Sequence, residues 1–515
     1  MTLSASMNVA QQALTIHQNV LSVVSNNIAN VNTEGYSKQR AELASIKGTG
    51  VIGNAIGRSY HIGAGVQISK ISSYRDTIID NTFRNENSGL SYYETLYNNA
   101  SSIEETLNEL GDKGLKNAFA NFFDAVQTLT NDPSSSVYRN NFVQAAKNVS
   151  SKFNDIAKSL VTNRDLLVGD PLDATGIEYS IVNSTVININ SKIKQISKIN
   201  HDILMAEADG NSASELRDER ARLLDALSSS IPINVTENSN GTINVSLDGI
   251  RLLRGTEIKA ELSYKAGNDN TPAIINIVDS ENNVLIENIN KRITSGSLGA
   301  ILEMGSSEIG KLSYKNILNE VDKLANTFAQ MVNDIQTYQN GDVKAMAIDV
   351  DAATGELSLK ESSEKIFVTS DGSNTINATN ISINDIVFNN PYEVACARIK
   401  VDGTENLKSV GNSDNLKEII NSRNNNINAL GNTNIESFLT SLTGDIGVKA
   451  LEIKNNLSTQ QTATQYVETE RQNKIGVNLD EELMELIKFQ RAYEAAARVF
   501  NTSSELMLTM VNLGK

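Results

Sequence analysis

Few residues in this chain are spaced to do chemistry. Gly48-Thr49-Gly50-Val51-Ile52-Gly53 has the G-x-G-x-x-G spacing that lets backbone approach a pyrophosphate, and Asp76 lies at a distance that could suit a ribose hydroxyl. Such a loop must open a helix, yet Gly57, Gly63 and Gly65 follow, so a glycine-rich extended or looped stretch is expected there and no nucleotide-binding enzyme. Asp349-Val350-Asp351 with Gly355 begins like a calcium loop. Thr354 stands where the sharp turn needs glycine, and Ala353 where an oxygen ligand belongs, so a turn is expected. His17, His61 and His201 are scattered, and none belongs to an H-E-x-x-H pair. Cys396 is the single cysteine, which excludes an intrachain disulfide and a cysteine-based zinc site and reads as a small core residue. The acidic run Asp480-Glu481-Glu482 suits the first turn of a helix, where carboxylates favour the dipole. No catalytic residue, cofactor or metal ligand is expected.

Composition points the same way. The chain has 515 residues, with 45 Lys and Arg against 61 Asp and Glu, a net charge of −16. Non-specific binding to nucleic acid or an anionic membrane needs clustered cations, so neither partner is expected. At roughly 150 residues per domain the length suits three to four domains. Up to Thr33 no residue is charged, yet Gln11, Gln12, Gln18, Asn19, Asn26 and Asn27 make the stretch too polar for a signal peptide or a bilayer span.

What the ends do carry is a seam. Leu3, Met7, Ala10, Leu14, His17, Leu21, Val24, Ile28 and Val31 alternate at spacings of four and three, the pattern of a coiled coil, with His17 placed to fix register. Leu479, Leu483, Leu486, Gln490, Tyr493, Ala497, Phe500, Ser504, Met507 and Val511 repeat it at the other end. At 1.5 Å per residue these are rods of about 43 and 48 Å, and their likeness predicts that the two ends pair. The outer face of the first helix is Ser, Thr, Asn and Gln with no charge, which suits burial against neighbouring subunits.

Between the ends, Phe119, Phe122, Phe123, Val126 and Leu129 mark one helical face, and Phe142, Ala146, Val149, Phe153, Ile156 and Leu160 another. Asp132-Pro133-Ser134 separates them, so 115–165 reads as a helical hairpin. Helix is also expected over 177–203, 216–227, 297–338 and from about 435 to the end. Strand is expected around Ile233, Thr242–Val245 and Ala273–Val278, with Asn240-Gly241 and Asp248-Gly249 as hairpin turns. The fold class is thus mixed, mainly α. The expected domains are a terminal coiled coil (1–45 with 472–515), a helical domain (46–231 with 296–338 and 435–471), and β-rich insertions at 232–295 and 339–434.

One motif is specific enough to carry a resemblance. Ser25-Asn26-Asn27-Ile28-Ala29-Asn30-Val31-Asn32-Thr33-Glu34-Gly35-Tyr36 resembles the N-terminal signature of bacterial flagellar rod, hook and hook-associated proteins. Ser37–Arg40, Gly476–Glu482 and Phe489–Tyr493 are similar to the hook-associated protein 1 branch, which usually has proline at the place of Glu34. Leu223–Ser229 and Gly296–Gly310 also resemble segments of that family, whereas the β insertions resemble nothing recognised. The resemblance implies a structural subunit at the hook–filament junction, outside the cell, exported without a cleaved signal. Its implied partners are copies of itself, the hook protein, a second junction protein (hook-associated protein 3) on the flagellin side, and a cytosolic export chaperone. A rod or hook protein is the alternative. Independently of family, Asn26, Asn27, Asn30, Asn32 and Thr33 before Gly35 should end the first helix, because Asn bonds local backbone and Gly accepts positive φ. Tyr36 is expected to anchor the exit against the next domain.

Overall fold

The computed structural model describes residues 3–513 apart from 34, 47–50, 54–58, 62–63, 108–113, 171–176, 209–211 and 402–406. The first helix, α1 (Leu3–Ala29), ends in the asparagine-rich motif, where the Asn30 side chain donates to the Asn26 carbonyl and the Thr33 amide to the Asn30 carbonyl. The chain then forms β1 (Gln39–Ser45), β2 (Val51–Gly53), β3 (Ser59–His61) and β4 (Val66–Ser73). β1 pairs antiparallel with β4 around a register shift at Glu42/Leu43, and β2 pairs with β3. Gly48–Gly50 of the glycine-rich motif lie outside the described residues, and Val51–Gly53 is strand.

Helices then dominate: α2 (Thr77–Leu107), α3 (Leu115–Asn131), α4 (Ser136–Val168), α5 (Ile181–Ala206) and α6 (Ser214–Ser228). Ser135 and Ser180 cap α4 and α5 by accepting the amides of Tyr138 and Asn183. The 31-residue α2 is not foreseen from sequence, because Asp80, Arg84 and Ser88 occupy its buried face where apolar residues would have signalled a helix.

Residues 234–286 form two antiparallel sheets: β5 (Asn234–Glu237), β6 (Ile243–Leu247), β7 (Ile250–Arg254) and β8 (Glu257–Ile258), then β9 (Glu261–Asn268), β10 (Thr271–Val278) and β11 (Val284–Ile286). The turn between β6 and β7 carries positive φ at Asp248 and Gly249, the two-residue form that hairpin twist favours. The helix expected over 297–338 is two: α7 (Gly296–Gly305) and α8 (Tyr314–Gln336). Gly305 ends the first against the Val168 side chain, and Ser313 starts the second by accepting the Asn316 amide.

The second mixed region holds β12 (Gln339–Asn340), β13 (Val343–Val350), β14 (Leu357–Glu361), β15 (Phe367–Thr369), β16 (Ile381–Ile383), α9 (Asp385–Asn389), β17 (Ala397–Lys400) and α10 (Asp414–Ser422). It is therefore not all β. Helix α11 (Ile435–Ile475) then runs 41 residues beside α2, its Gln460 amide donating to the Glu86 carbonyl, and α12 (Leu479–Leu513) closes the chain against α1.

The main core lies where α3, α4, α7 and α8 meet the two inserted regions. Phe119, Phe122, Phe142, Phe328 and Phe367 are wholly buried and stack at ring separations of 5.0–6.4 Å. A separate, much smaller cluster holds the terminal helices: Ile16, Val20 and Val24, with Ile28, Ala41, Val66, Ile68, Leu486 and Phe489 packed on it.

Candidate assembly interface and its polar joint

Along α1 the buried positions are Ala10, Ile16, Val20, Val23, Val24 and Asn27. Of the residues named from the heptad pattern, Ala10 and Val24 are buried and Leu3, Met7, Leu14, Leu21 and Ile28 are half-buried. His17 lies 6.0 Å from the Phe489 ring, its Nδ1 without a hydrogen-bond partner among the described residues, and burial lowers its pKa.

Helix α12 divides its heptad residues. Leu486 and Phe500 are half-buried, but Leu479, Leu483, Tyr493, Met507 and Val511 are 38–56% exposed. Only Glu482 and Ser503 are buried, and Leu486, Phe489, Ala492, Ala496, Ala497, Phe500 and Ser504 are half-buried, so the covered side straddles the heptad line and the positions one residue before it, about 100° around the helix. The small residues at 492, 496, 497, 503 and 504 are the overlooked signal, since small side chains let helices approach closely. Helix α12 therefore carries a covered stripe towards α1 and an apolar, open one that includes Leu479, Leu483, Met484, Ile487 and Tyr493, and in its last turns Leu506, Met507, Leu508, Met510 and Val511 are all exposed.

Asn27 is the centre of the joint at the end of α1. It is 1% exposed. Its Oδ1 accepts from the Gln39 amide at 3.0 Å and the Tyr36 hydroxyl at 2.9 Å, and its Nδ2 donates to the Gln39 carbonyl and to Glu482 Oε2 at 3.0 Å. One amide thus uses all its capacity to fix α1, the chain leaving it, and the start of α12. Glu482, expected only to favour the helix dipole, is almost fully buried and also meets Lys38 at 2.9 Å. Lys38 bonds Glu481 as well, and its amide donates to the Ile475 carbonyl at the end of α11. Burial lowers the Lys38 pKa, but the bonds to Glu482 and Glu481 outweigh it and the net shift is upward. Tyr36 is pushed up to about 12 by burial and by the charges of Asp218, Glu482 and Glu215.

The Tyr36 hydroxyl thus bonds back onto α1, while Asp218 and Glu215 of the next domain lie near enough to act on its phenol. Its chain neighbours contact that domain directly. Ser37 donates from its amide and its hydroxyl to Asp218 on α6. Gly35 has φ +76°, and a Cβ there would lie 2.6 Å from Arg222 Cγ, so both backbone and space favour glycine. Asn26, Asn30, Asn32 and Thr33 are partly or fully exposed, and Asn30 and Thr33 serve the helix end through the Thr33 hydroxyl on Asn30 Oδ1.

Behind the joint lies a chain of buried ion pairs that sequence did not reveal. Arg75 bridges Asp80 and Asp218; Arg471 near the end of α11 pairs with Asp80 at 3.2 Å and Asp225 at 2.7 Å; Arg84 pairs with Asp225 at 2.9 Å. Arg471 also stacks 4.5 Å from the Phe83 ring centre. Each residue reads as an ordinary surface charge until α2, α6 and α11 bring them together.

The remaining chemical candidates are accounted for locally. Asp351 Oδ1 accepts the amides of Ala353 and Thr354, an Asx turn. Cys396 is buried with its Sγ 3.0 Å from an Arg139 amino nitrogen, and burial pushes its thiol up to about 11, away from nucleophilic use. Among the described residues no group of three or more His, Cys, Asp or Glu could hold a metal, and no helix is long and apolar enough to cross a membrane.

Comparison with known proteins gives the arrangement a lineage. Residues 100–343 match the flagellar hook-associated protein FlgK helical domain, 7–36 match the flagella basal body rod protein family, and 471–513 match the flagellar basal body rod FlgEFG protein C-terminal family. Flagellar hook-associated protein 1 of Bacillus subtilis is 27% identical over 544 residues, covering 98% of this chain and 97% of its own. That of Salmonella typhimurium is 26% identical, covering 99% and 100%, and that of Escherichia coli 24%, with the same coverage. The flagellar hook junction protein FlgK from Burkholderia pseudomallei shares the fold, with a TM-score of 0.56 at 14% identity over 76% of this chain and 99% of that one. The rod-type ends, the helical middle and the end-to-end relatives together make this chain similar over its whole length to flagellar hook-associated protein 1.

Proposed function

We propose that this chain is a structural subunit of the bacterial flagellum that joins the hook to the filament and is needed for the filament to assemble. The observation that carries this is the division of α12: one side holds α1 within the chain, while Leu479, Leu483, Met484, Ile487, Tyr493, Met507, Leu508 and Val511 leave an apolar side uncovered. A long exposed apolar stripe on a helix suits burial against other copies. The labour divides along 1–45 with 472–515 for stacking, 46–231 with 296–338 and 435–471 as the supporting helical body, and 232–295 and 339–434 as outward insertions. Assembly residues are Leu3, Met7, Leu14, Leu21, Val24 and Ile28 on α1, and Leu479, Leu483, Leu486, Tyr493, Phe500, Met507 and Val511 on α12.

The partners in this reading are copies of the chain, the hook protein below, the second junction protein and flagellin above, and a cytosolic chaperone before export. Its place is outside the cell, reached by the flagellar export route without a cleaved signal, and it has no enzymatic step. A rod or hook role is favoured by the rod-family matches at both ends, but the helical-domain match over 100–343 separates this chain from that branch. Immunogold labelling of isolated flagella tests the reading: label confined to the hook–filament boundary, and no filaments in a deletion strain, is the expected result. Label along the rod, or normal filaments in the deletion strain, would sink it.

A further inference from the structure

Between β4 and α6, where the terminal hairpin meets the helical body, lies a cavity of about 320 Å³. Its walls carry five cations, Lys70, Arg75, Arg84, Arg217 and Arg220, against two carboxylates, Asp80 and Glu237. Both carboxylates are already committed: Asp80 to Arg75 and Arg471, Glu237 to Arg217. Arg84 is held by Asp225, and Arg217 also by Glu207. Arg220 and Lys70 are left with no ion pair among the described residues.

Arg220 is the unusual one. It is 5% exposed, yet its only hydrogen bonds among the described residues are to neutral oxygens, from one amino nitrogen to Asn200 Oδ1 at 2.9 Å and the Gly241 carbonyl at 2.7 Å. Its Nε and second amino nitrogen have no acceptor among the described residues, and the residue lines the cavity. A guanidinium taken out of water without a counter-charge is costly, and its planar fork fits an oxyanion in two-point contact. Burial, and the like charges of Arg217 and Arg75, pull its pKa down to about 10 despite the opposing charges of Glu237 and Glu207, and a bound anion would relieve that strain.

We infer that this cavity is a binding site for a small multivalent oxyanion of the phosphate class, with Arg220 as its buried anchor, Lys70 at its mouth, and the side chain of Ser73 as a neutral donor. Bound there, the anion would touch both β4 and α6 and so tie the terminal hairpin to the body. This is independent of the role at the hook–filament boundary.

Isothermal titration of the full-length chain with inorganic phosphate, at constant ionic strength in chloride, tests it. The expected result is saturable binding at one site, abolished in Arg220→Gln and weakened about tenfold in Lys70→Ala, a loss equivalent to about 1.4 kcal/mol. Arg220 is buried and its replacement could unfold the region, so far-ultraviolet circular dichroism is recorded for both variants and exposed Lys70 decides if Arg220→Gln is misfolded. Absence of saturable binding, or affinity unchanged in a folded Lys70→Ala, overturns the assignment.

Discussion

The phenylalanine core and the terminal helix pair are both apolar, but they are finished to different degrees. Around Phe122 every ring is enclosed and meets other rings of the same chain. Around Ile16, Val20 and Val24 the cluster is small, and half of the helix that covers it presents Leu, Met and Ile to solvent. The first region needs nothing more to be stable. The second is half an interface, held in place meanwhile by a polar joint that spends an asparagine, a lysine and a buried glutamate on orientation. Apolar packing supplies stability in the body, and directional bonds fix geometry at the ends.

The largest effect that breaks this contrast is in the core. Phe328→Ala should remove about 3–5 kcal/mol from the stability of the single chain, because the ring leaves a cavity among Phe119, Phe122 and Phe367 that cannot collapse. The denaturant midpoint should fall without a change in slope. A loss below about 1 kcal/mol would mean that the core is looser than its burial indicates.

Next comes the joint. Asn27→Ala removes four hydrogen bonds and leaves Glu482 with Lys38 alone, a cost of about 1–3 kcal/mol borne locally. Hydrogen exchange should quicken at the Gln39 amide and along the first turns of α12 while α3 and α4 are unchanged. Uniform quickening across the body would show that the two regions are one cooperative unit.

How much of this could be read beforehand follows the same division. The hairpin of α3 and α4, the strands with their Asn-Gly and Asp-Gly turns, and the pairing of the two ends are written in local periodicity and turn chemistry. Helix α2 was not, because its inward face is made of Asp80, Arg84 and Ser88, whose burial makes sense only once Asp225 and Arg471 arrive from far along the chain. The face of α12 that meets α1 was obscured for a related reason. The heptad line is the stronger pattern, but the covered side takes only part of it and adds Phe489, Ala492, Ala496 and Ser503 beside it, and a glutamate in the first turn gives no hint that an asparagine 455 positions earlier will bury it.

The open stripe gives a third, smaller effect on the single chain. Leu483→Asp lies in the exposed stripe and should change monomer stability by no more than about 0.5 kcal/mol, while abolishing incorporation into flagella. Leu486→Asp is the control. Leu486 belongs to the covered cluster, so that substitution should lower stability and block assembly together. If both variants destabilise the monomer equally, the two stripes are not distinct.

The smallest effect separates the two titrating members of the joint. The Tyr36 phenol is neutral when protonated, and its pKa in the fold stands at about 12 against the ordinary 10.0, so the folded chain keeps a proton that the unfolded chain has lost. Its contribution is complete below about pH 10 and is lost as pH climbs towards 12. Lys38 moves in the same sense: its pKa is raised in the fold, and its contribution is full below the ordinary lysine value and lost as pH rises through the folded one. Tyr36→Phe removes the phenol and its bond to Asn27 but leaves Lys38 with Glu481 and Glu482. The variant should therefore be slightly less stable at neutral pH, yet its stability should fall less steeply than wild type between pH 10 and 12, keeping the share that belongs to Lys38. Tyr92, Tyr264 and Tyr314 are also shifted upward and are common to both proteins, so they cancel in the difference. Identical slopes would place the alkaline sensitivity in the body and leave the joint held by Lys38 and Asn27 alone.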